Sequence, residues 1–523
     1  MENTQTGSDL FSINPFLPCN EYVPDGEPRI FGDRVYIYGS HDLIDSRDYC
    51  KGDYVCWSAS CADLAHWKYE GVIYQKKQDP YVKQILSNGK GNMMNSHLFA
   101  PDVIEMDGKY YMYYGVGLSK SGIGVAVSDS PTGPFEYIGR VRYPESEKPK
   151  NWKDGKDGID DGDLAFGYGK SPFTSLGHYP YDPGVIYDNG RLFLYYGLYY
   201  CRMVELDAKD KRTVIRNQDT GKFESELLVP GTLNPFGRGI LKASDGMGMV
   251  NAPSIRKIDN TYYLVYYASD AKNCHAMCYA TAESPFGPFR YGGILVSLGN
   301  ARRNGNKEIP YYTGNVHGGI VCINGIWYGI YHRHTGLGMC GRQACVAVLH
   351  RNPDGSFDHA EHNSQGFSAA PLPAYYRWPA YMACHLTDRK GRAKANAQAP
   401  VITQMEYKGG MRDLDSGKEV FQVVSNTTDG SVAGYKHFDF GARDGDKMEI
   451  TLRLRPLSSG YIEVYADDPK SGVCLGRVDV PKASDDWQEV HSQIRQLTGV
   501  HSIYFVFHSD GKPLCDLSHF TFR

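Results

Sequence analysis

The sequence has no basic block, no long apolar run and no cysteine spacing that suggests pairing. Its 56 Lys and Arg against 60 Asp and Glu give a net charge of −4. That gives no electrostatic support for a nucleic-acid partner or for binding to an anionic membrane. No apolar stretch approaches the roughly 20 residues that cross a bilayer. The opening Met1-Glu2-Asn3-Thr4-Gln5-Thr6-Gly7 lacks the basic region and the apolar run of a secretory signal. The thirteen cysteines are odd in number and scattered. Cys56, Cys278 and Cys345 sit in apolar, strand-like runs, where a thiol reads as a small buried hydrophobe. Together these absences predict a cytoplasmic protein. Nothing in the sequence bears on its oligomeric state.

What is present is aromatic and turn-rich. The 523 residues hold 40 tyrosines and 58 glycines, with an ordinary 41 % hydrophobic and 22 % charged content. Such a length implies two or three domains unless one is a large repeat fold. Tyrosine and glycine in this abundance suit many short strands and turns. Aromatic faces also suit the apolar C–H face of a sugar ring.

A repeat is visible. Asp33-Arg34-Val35-Tyr36-Ile37-Tyr38, Asp107-Gly108-Lys109-Tyr110-Tyr111-Met112, Asp188-Asn189-Gly190-Arg191-Leu192-Phe193, Asp259-Asn260-Thr261-Tyr262-Tyr263-Leu264 and Asn324-Gly325-Ile326-Trp327-Tyr328 each set a turn before a strand. The turns recur 65 to 81 residues apart, and each unit continues into a second strand such as Val55–Ala59 or Met277–Thr281. Five four-stranded units at that spacing predict an all-β fold, a five-bladed β-propeller over residues 12–365. A series of sandwiches would need no such unit-wise recurrence. The pattern breaks at a Pro- and Ala-containing linker, 366–403. A second all-β segment, 404–523, has the turn spacing of one jelly-roll-like β-sandwich. Its own strands and Trp487 predict that the propeller folds without it.

The first strand of each blade lines a propeller's channel. Five to eight residues before each turn stand Asp25, Asp102, Asp182, Asn251 and His317. Carboxylates gathered at one depth repel and are costly to desolvate, so the set points to a task. Glycoside hydrolysis has that need: one carboxylate activates water, one carboxylic acid protonates the leaving oxygen, and a further charge holds their pKa values apart.

These segments resemble glycoside hydrolase family 43. The resemblance lies in Asn14-Pro15-Phe16-Leu17-Pro18, Pro24-Asp25-Gly26-Glu27-Pro28, Ala100-Pro101-Asp102-Val103, Asp182-Pro183-Gly184-Val185, Gly314-Asn315-Val316-His317-Gly318-Gly319, Tyr331-His332-Arg333-His334 and Gly341-Arg342-Gln343-Ala344. It implies that Asp25 is the general base and that Asp182 tunes and orients the acid. It also implies that Asp102 and Arg342 reach the sugar and that His317 contacts substrate, water or a bound cation. One departure stands out: in Met249-Val250-Asn251-Ala252-Pro253-Ser254, Asn251 occupies the position of the family's acidic Glu, and an amide has no proton to give. The resemblance implies an inverting, exo-acting glycosidase of arabinofuranosides or xylosides, with galactosides in range, acting on plant-type oligosaccharides or polysaccharides. No cofactor is required, and the axis leaves room for a structural calcium ion. The rival reading is a non-catalytic carbohydrate-binding propeller.

Residues Ala433–Gly441, Trp487 and Gly499–Phe507 resemble a family 6 carbohydrate-binding module. The module's polar ligand contact near the C-terminus has no clear counterpart in Asp516-Leu517-Ser518-His519-Phe520, which leaves binding and purely structural roles open. The acidic stretch 157–163 lacks a calcium-hand pattern and reads as a loop. His332 and His334 read as strand-end residues rather than zinc ligands. Glu205, Glu224, Glu226 and the 157–163 stretch are the candidates if another carboxylate reaches the leaving group in place of the acid missing at Asn251.

Overall fold

The Asp- and Asn-led turns form hairpins between the first two strands of each sheet. At Asp107-Gly108, Asn189-Gly190 and Asn324-Gly325 both turn residues have positive φ. That geometry matches the right-handed twist of the flanking strands. The computed structural model describes residues 6–44, 46–93, 95–117, 122–144, 181–198, 201–223, 225, 228, 247–270, 272, 274–393 and 399–523. Four sheets run as simple four-stranded meanders and a fifth has three strands. Their first strands are Glu27–Phe31, Leu98–Met106, Gly184–Asp188, Gly248–Ile258 and Ile320–Ile323. These five strands neighbour one another around an axis, as in the expected five-bladed propeller.

Apolar layers between blades hold the ring. Phe193 and Tyr195 of the third blade, for example, pack with Ile255, Leu264 and Tyr266 of the fourth, all within 1 % of full burial. The N-terminal segment closes the ring against the fifth blade. Phe16 N–H donates to Ala344 O at 3.2 Å. Asn14 accepts from Val346 N–H at 2.9 Å and donates to Val346 O at 2.8 Å.

The C-terminal part is a sandwich of two six-stranded sheets, and here the expected division needs correcting. Residues 366–403 are not a free linker. Leu372–Pro373 and His385–Thr387 pair with Val432–Asp439 in one sheet, and Arg377–Pro379 pairs with Cys515–Phe522 in the other. The sandwich's first long strand begins at Val401. The joint core takes in Leu372, Trp378 and Met382 at 0 % exposure, together with Ile13 from the N-terminus and Tyr311 from the propeller. The Trp378 ring lies so close over Gly7 that a Cβ there would meet it at 2.5 Å. Arg333 of the fifth blade donates to Tyr381 O and Ala383 O. The two units therefore share one apolar core, which removes the basis for independent folding.

Candidate active site

Alternation along the first blade's inner strand puts Glu27 and Arg29 on one face, and Asp25 precedes that strand in a left-handed turn. Asp25 sits at the mouth. A parallel bridge between Gly26 and Gly318 draws the first and fifth blades together and sets Asp25 beside His317. His317 Nδ1 is 3.7 Å from Asp25 Oδ1 and 3.9 Å from Asp182 Oδ2. Both aspartates have positive φ, 59° and 47°, an uncommon conformation that concentrates at functional sites. Asp25 is 5 % exposed and Asp182 3 %.

The two carboxyls are held very differently. Asp25 Oδ1 accepts from Arg342 Nη1 at 2.9 Å and Oδ2 accepts from Ser40 Oγ at 2.6 Å. Ser40 Oγ also accepts from Ala100 N–H at 2.8 Å, tying the second blade to this corner. Asp25 N–H donates to His332 Nδ1 at 3.2 Å, and His332 Nε2 faces Asn315 O at 2.9 Å, which fixes the Nε2–H tautomer. Burial would raise the Asp25 carboxyl, but the Arg342 guanidinium overrides it and holds it at about 2. Asp182 has no hydrogen-bond donor among the described residues. Burial, reinforced by the charge on Asp25, pushes it well above the usual carboxylate range, against the opposing pull of Arg342. Burial also drives His317 down to about 4 and His334 to about 3, so both imidazoles are neutral near pH 7.

Beside the carboxyls lies a small apolar cluster of Cys50, Phe99 and Tyr181, with the Phe99 and Tyr181 rings 5.7 Å apart. Tyr54 pins it by donating to Phe99 O at 2.8 Å. Asn251 is half-buried at a register shift in the fourth blade's inner strand, next to Ala252 at φ 67°. The inner strands of the third and fourth blades touch just beyond Asp182 and Asn251, where a Cβ on Gly184 would meet Pro253 O at 2.2 Å.

The site thus joins a carboxylate held low by a guanidinium, a second carboxyl pushed up by burial, two imidazoles pushed down by burial and an aromatic wall on a propeller axis. A xylosidase/arabinosidase of Thermoclostridium stercorarium is 36 % identical to this chain over 97 % of it and 98 % of the relative. The chain belongs to glycosyl hydrolase family 43.

The model of this family, glycosyl hydrolases family 43, matches residues 28–161, and that of carbohydrate binding module family 6 matches residues 410–523. An arabinoxylan arabinofuranohydrolase of Bacillus subtilis (strain 168) is 25 % identical over 97 % of this chain and 92 % of its own. The crystal structure of a family 43 arabinoxylan arabinofuranohydrolase from Bacillus subtilis, in complex with cellotetraose, aligns over 99 % of both chains at 21 % identity with a TM-score of 0.46. This family 43 glycosidase carries the propeller and the module in one polypeptide.

Two expected sugar contacts prove to be internal. Asp102 receives Arg29 on both oxygens at 2.6–2.9 Å and Val185 N–H at 2.8 Å. It is 1 % exposed and offers no free face to a sugar. Arg342 is 3 % exposed. Its Nε and Nη2 bind Asp42 at 2.8 and 3.0 Å while Nη1 holds Asp25, so it positions the Asp25 carboxylate. Its guanidinium lies 4.7 Å over the Tyr49 ring. The expected calcium at His317 is not matched either. Among the described residues no three His, Cys, Asp or Glu side chains are grouped for a metal. A guanidinium beside Asp25 also disfavours a hard cation that needs six or more oxygens. Glu205 is bound by Arg191 at 2.7 Å through each oxygen and by Asn217, on the third strand of its blade. It is no candidate acid. Glu224, Glu226 and 157–163 lie outside the described residues.

Sequence reasoning missed Ser40, Asp42 and Cys50, which lie in a loop with no periodic signal. It also missed the ionic layer of Glu27, Arg29, Asp102 and Arg256 further along the channel, where Arg256 donates to Glu27 and to Pro28 O. The spacing of Glu27 and Arg29 was the available signal: period two on one strand face.

Proposed function

We propose that this family 43 member hydrolyses terminal arabinofuranosides or xylosides of plant-type oligosaccharides, with galactosides a wider possibility, by a single inverting displacement. The observation that carries this reading is the unequal pair on the axis: Asp25 ionised against Arg342 and Asp182 shielded and without a donor. Two carboxyl groups whose environments separate their pKa values form an acid and a base. Both carboxyls approach His317 Nδ1, at 3.7 and 3.9 Å, so they are at most about 8 Å apart, a ceiling compatible with the inverting arrangement. Burial of both carboxyls supports an exo action, because a terminal sugar can reach a recessed floor that a continuous chain cannot. The names of the relatives support the sugar class. The chemistry needs water and protein groups only.

A second reading rests on one residue. If no other group makes good the acid missing at Asn251, the propeller is a non-catalytic sugar-binding protein. Turnover of nitrophenyl α-L-arabinofuranoside and β-D-xyloside, with the anomer of the first product followed by NMR, tests both. Release of the inverted anomer is expected. Sugar binding without turnover of either glycoside would establish the second reading.

A further inference from the structure

We propose that Asp182 is the proton donor of the reaction, delivering its proton to the leaving glycosidic oxygen in place of the amide at position 251. The inference rests on the hydrolase reading above.

The argument is one of partners. Among the buried acids near the axis, Asp25 is held by Arg342 and Ser40, Asp42 by Arg342 and Cys50 N–H, and Asp102 by Arg29 and Val185 N–H. Each of these has donors that stabilise an anion. Asp182, at 3 % exposure, has none among the described residues. The basic side-chain nitrogen near it, His317 Nδ1, is 3.9 Å away, beyond hydrogen-bond reach. Burial without donors favours the protonated form of a carboxyl. Tyr181, its neighbour in the chain, and Phe99 form an apolar cluster on this side of the site. Asp182 is also next to the vacated position, since the inner strands of the third and fourth blades touch just past Asp182 and Asn251. Its left-handed backbone, like that of Asp25, turns out of the strand at the channel mouth.

The step balances with these groups alone. Asp25 takes a proton from water as the water oxygen bonds to the anomeric carbon. The bond to the leaving oxygen breaks, its electron pair stays on that oxygen, and the Asp182 proton neutralises it. Asp25 leaves the step protonated and Asp182 ionised, and proton exchange with solvent resets both.

The test uses the full chain, aryl and alkyl glycosides of graded leaving-group acidity, and a xylo-oligosaccharide. Asp182→Asn, which tolerates the same backbone, is expected to slow poor leaving groups by about 10²–10⁴ and the most acidic phenols by less than about tenfold. It is also expected to abolish the basic limb of kcat/KM. Asn251→Glu in the wild-type background is expected to give no gain on the oligosaccharide. A thermal melt supplies a readout apart from activity. If Asp182 holds its proton in the fold, the Tm of Asp182→Asn relative to wild type rises between pH 4 and pH 8. An equal loss across all leaving groups, a flat Tm difference, or a tenfold gain from Asn251→Glu would each overturn the inference while leaving the hydrolase reading intact. A wild type that turns over none of the glycosides would overturn both.

Discussion

Arg342 grips Asp25 and Asp42 with one guanidinium, 2.9 Å from the first and 2.8 Å from the second. Asp25, the proposed base, is therefore held ionised by a residue 317 positions away in sequence. Replacing Asp25 with Asn preserves the left-handed backbone but removes the base, and kcat is expected to fall by about 10²–10⁴. Asp25→Ala adds a backbone cost of roughly 1–2 kcal/mol at φ 59°, so its Tm should lie below that of Asp25→Asn. Retention of more than a third of wild-type turnover would remove Asp25 from the mechanism.

The same contact sets a pH limit. The folded carboxyl of Asp25 lies at about 2, below an unfolded value of roughly 3.9. Its stabilising contribution is full above the unfolded value and is lost as pH falls through the folded one. The acid limb of kcat/KM should accordingly lie below pH 4. Arg342→Lys keeps a charge but loses the fork that spans two carboxylates. That limb is expected to move upward and kcat to drop by about tenfold or more, as a pH–rate series would reveal.

His41 gives a stability signature of opposite sign. Its Nε2 is 3.1 Å from Glu21 of the propeller and 3.6 Å from Asp415 of the sandwich. Burial opposes the imidazolium, but Glu21 and then Asp415 raise it to about 9. A raised group stabilises fully below its unfolded value and loses that contribution as pH rises through the folded one. His41→Gln should cost about 2 kcal/mol at pH 6 and much less at pH 10, read from denaturant midpoints at the two pH values.

Cutting the chain after residue 403 tests the shared core. Leu372, Trp378 and Met382 would lose the sandwich strands that cover them. The 1–403 fragment is expected to aggregate or bind a hydrophobic dye, because an apolar face of that size is not tolerated on a soluble surface. A monomeric, cooperatively melting fragment would show that the propeller carries its own boundary.

The legible parts of this molecule were the repetitive ones. Asp107-Gly108 and Asn324-Gly325 announce hairpins because only a few residue types accept positive φ in succession. Their spacing reveals blades. Asp25 and Asp182 were legible through position and motif. Leu372–Pro373 and His385–Thr387 were not, because strands of two or three residues carry no period to detect. Asp102 was misassigned because it lies further along its inner strand, and a small change in depth exchanges a sugar contact for an ion pair with Arg29. Partnership across blades decides such cases, and it has no local sequence signature.

The closure of the ring by Asn14 and Phe16 has a consequence for synthesis. Their partners Ala344, Val346 and Asn363 are made more than three hundred residues later. At ordinary elongation rates that is a wait of about 15–70 s. Through that interval Phe16, only 6 % exposed in the finished protein, has Trp67 of the first blade to pack on at 4.9 Å but not Phe367, whose ring lies 5.0 Å from it after folding. A segment made long before the fifth blade waits for that blade to be held in place.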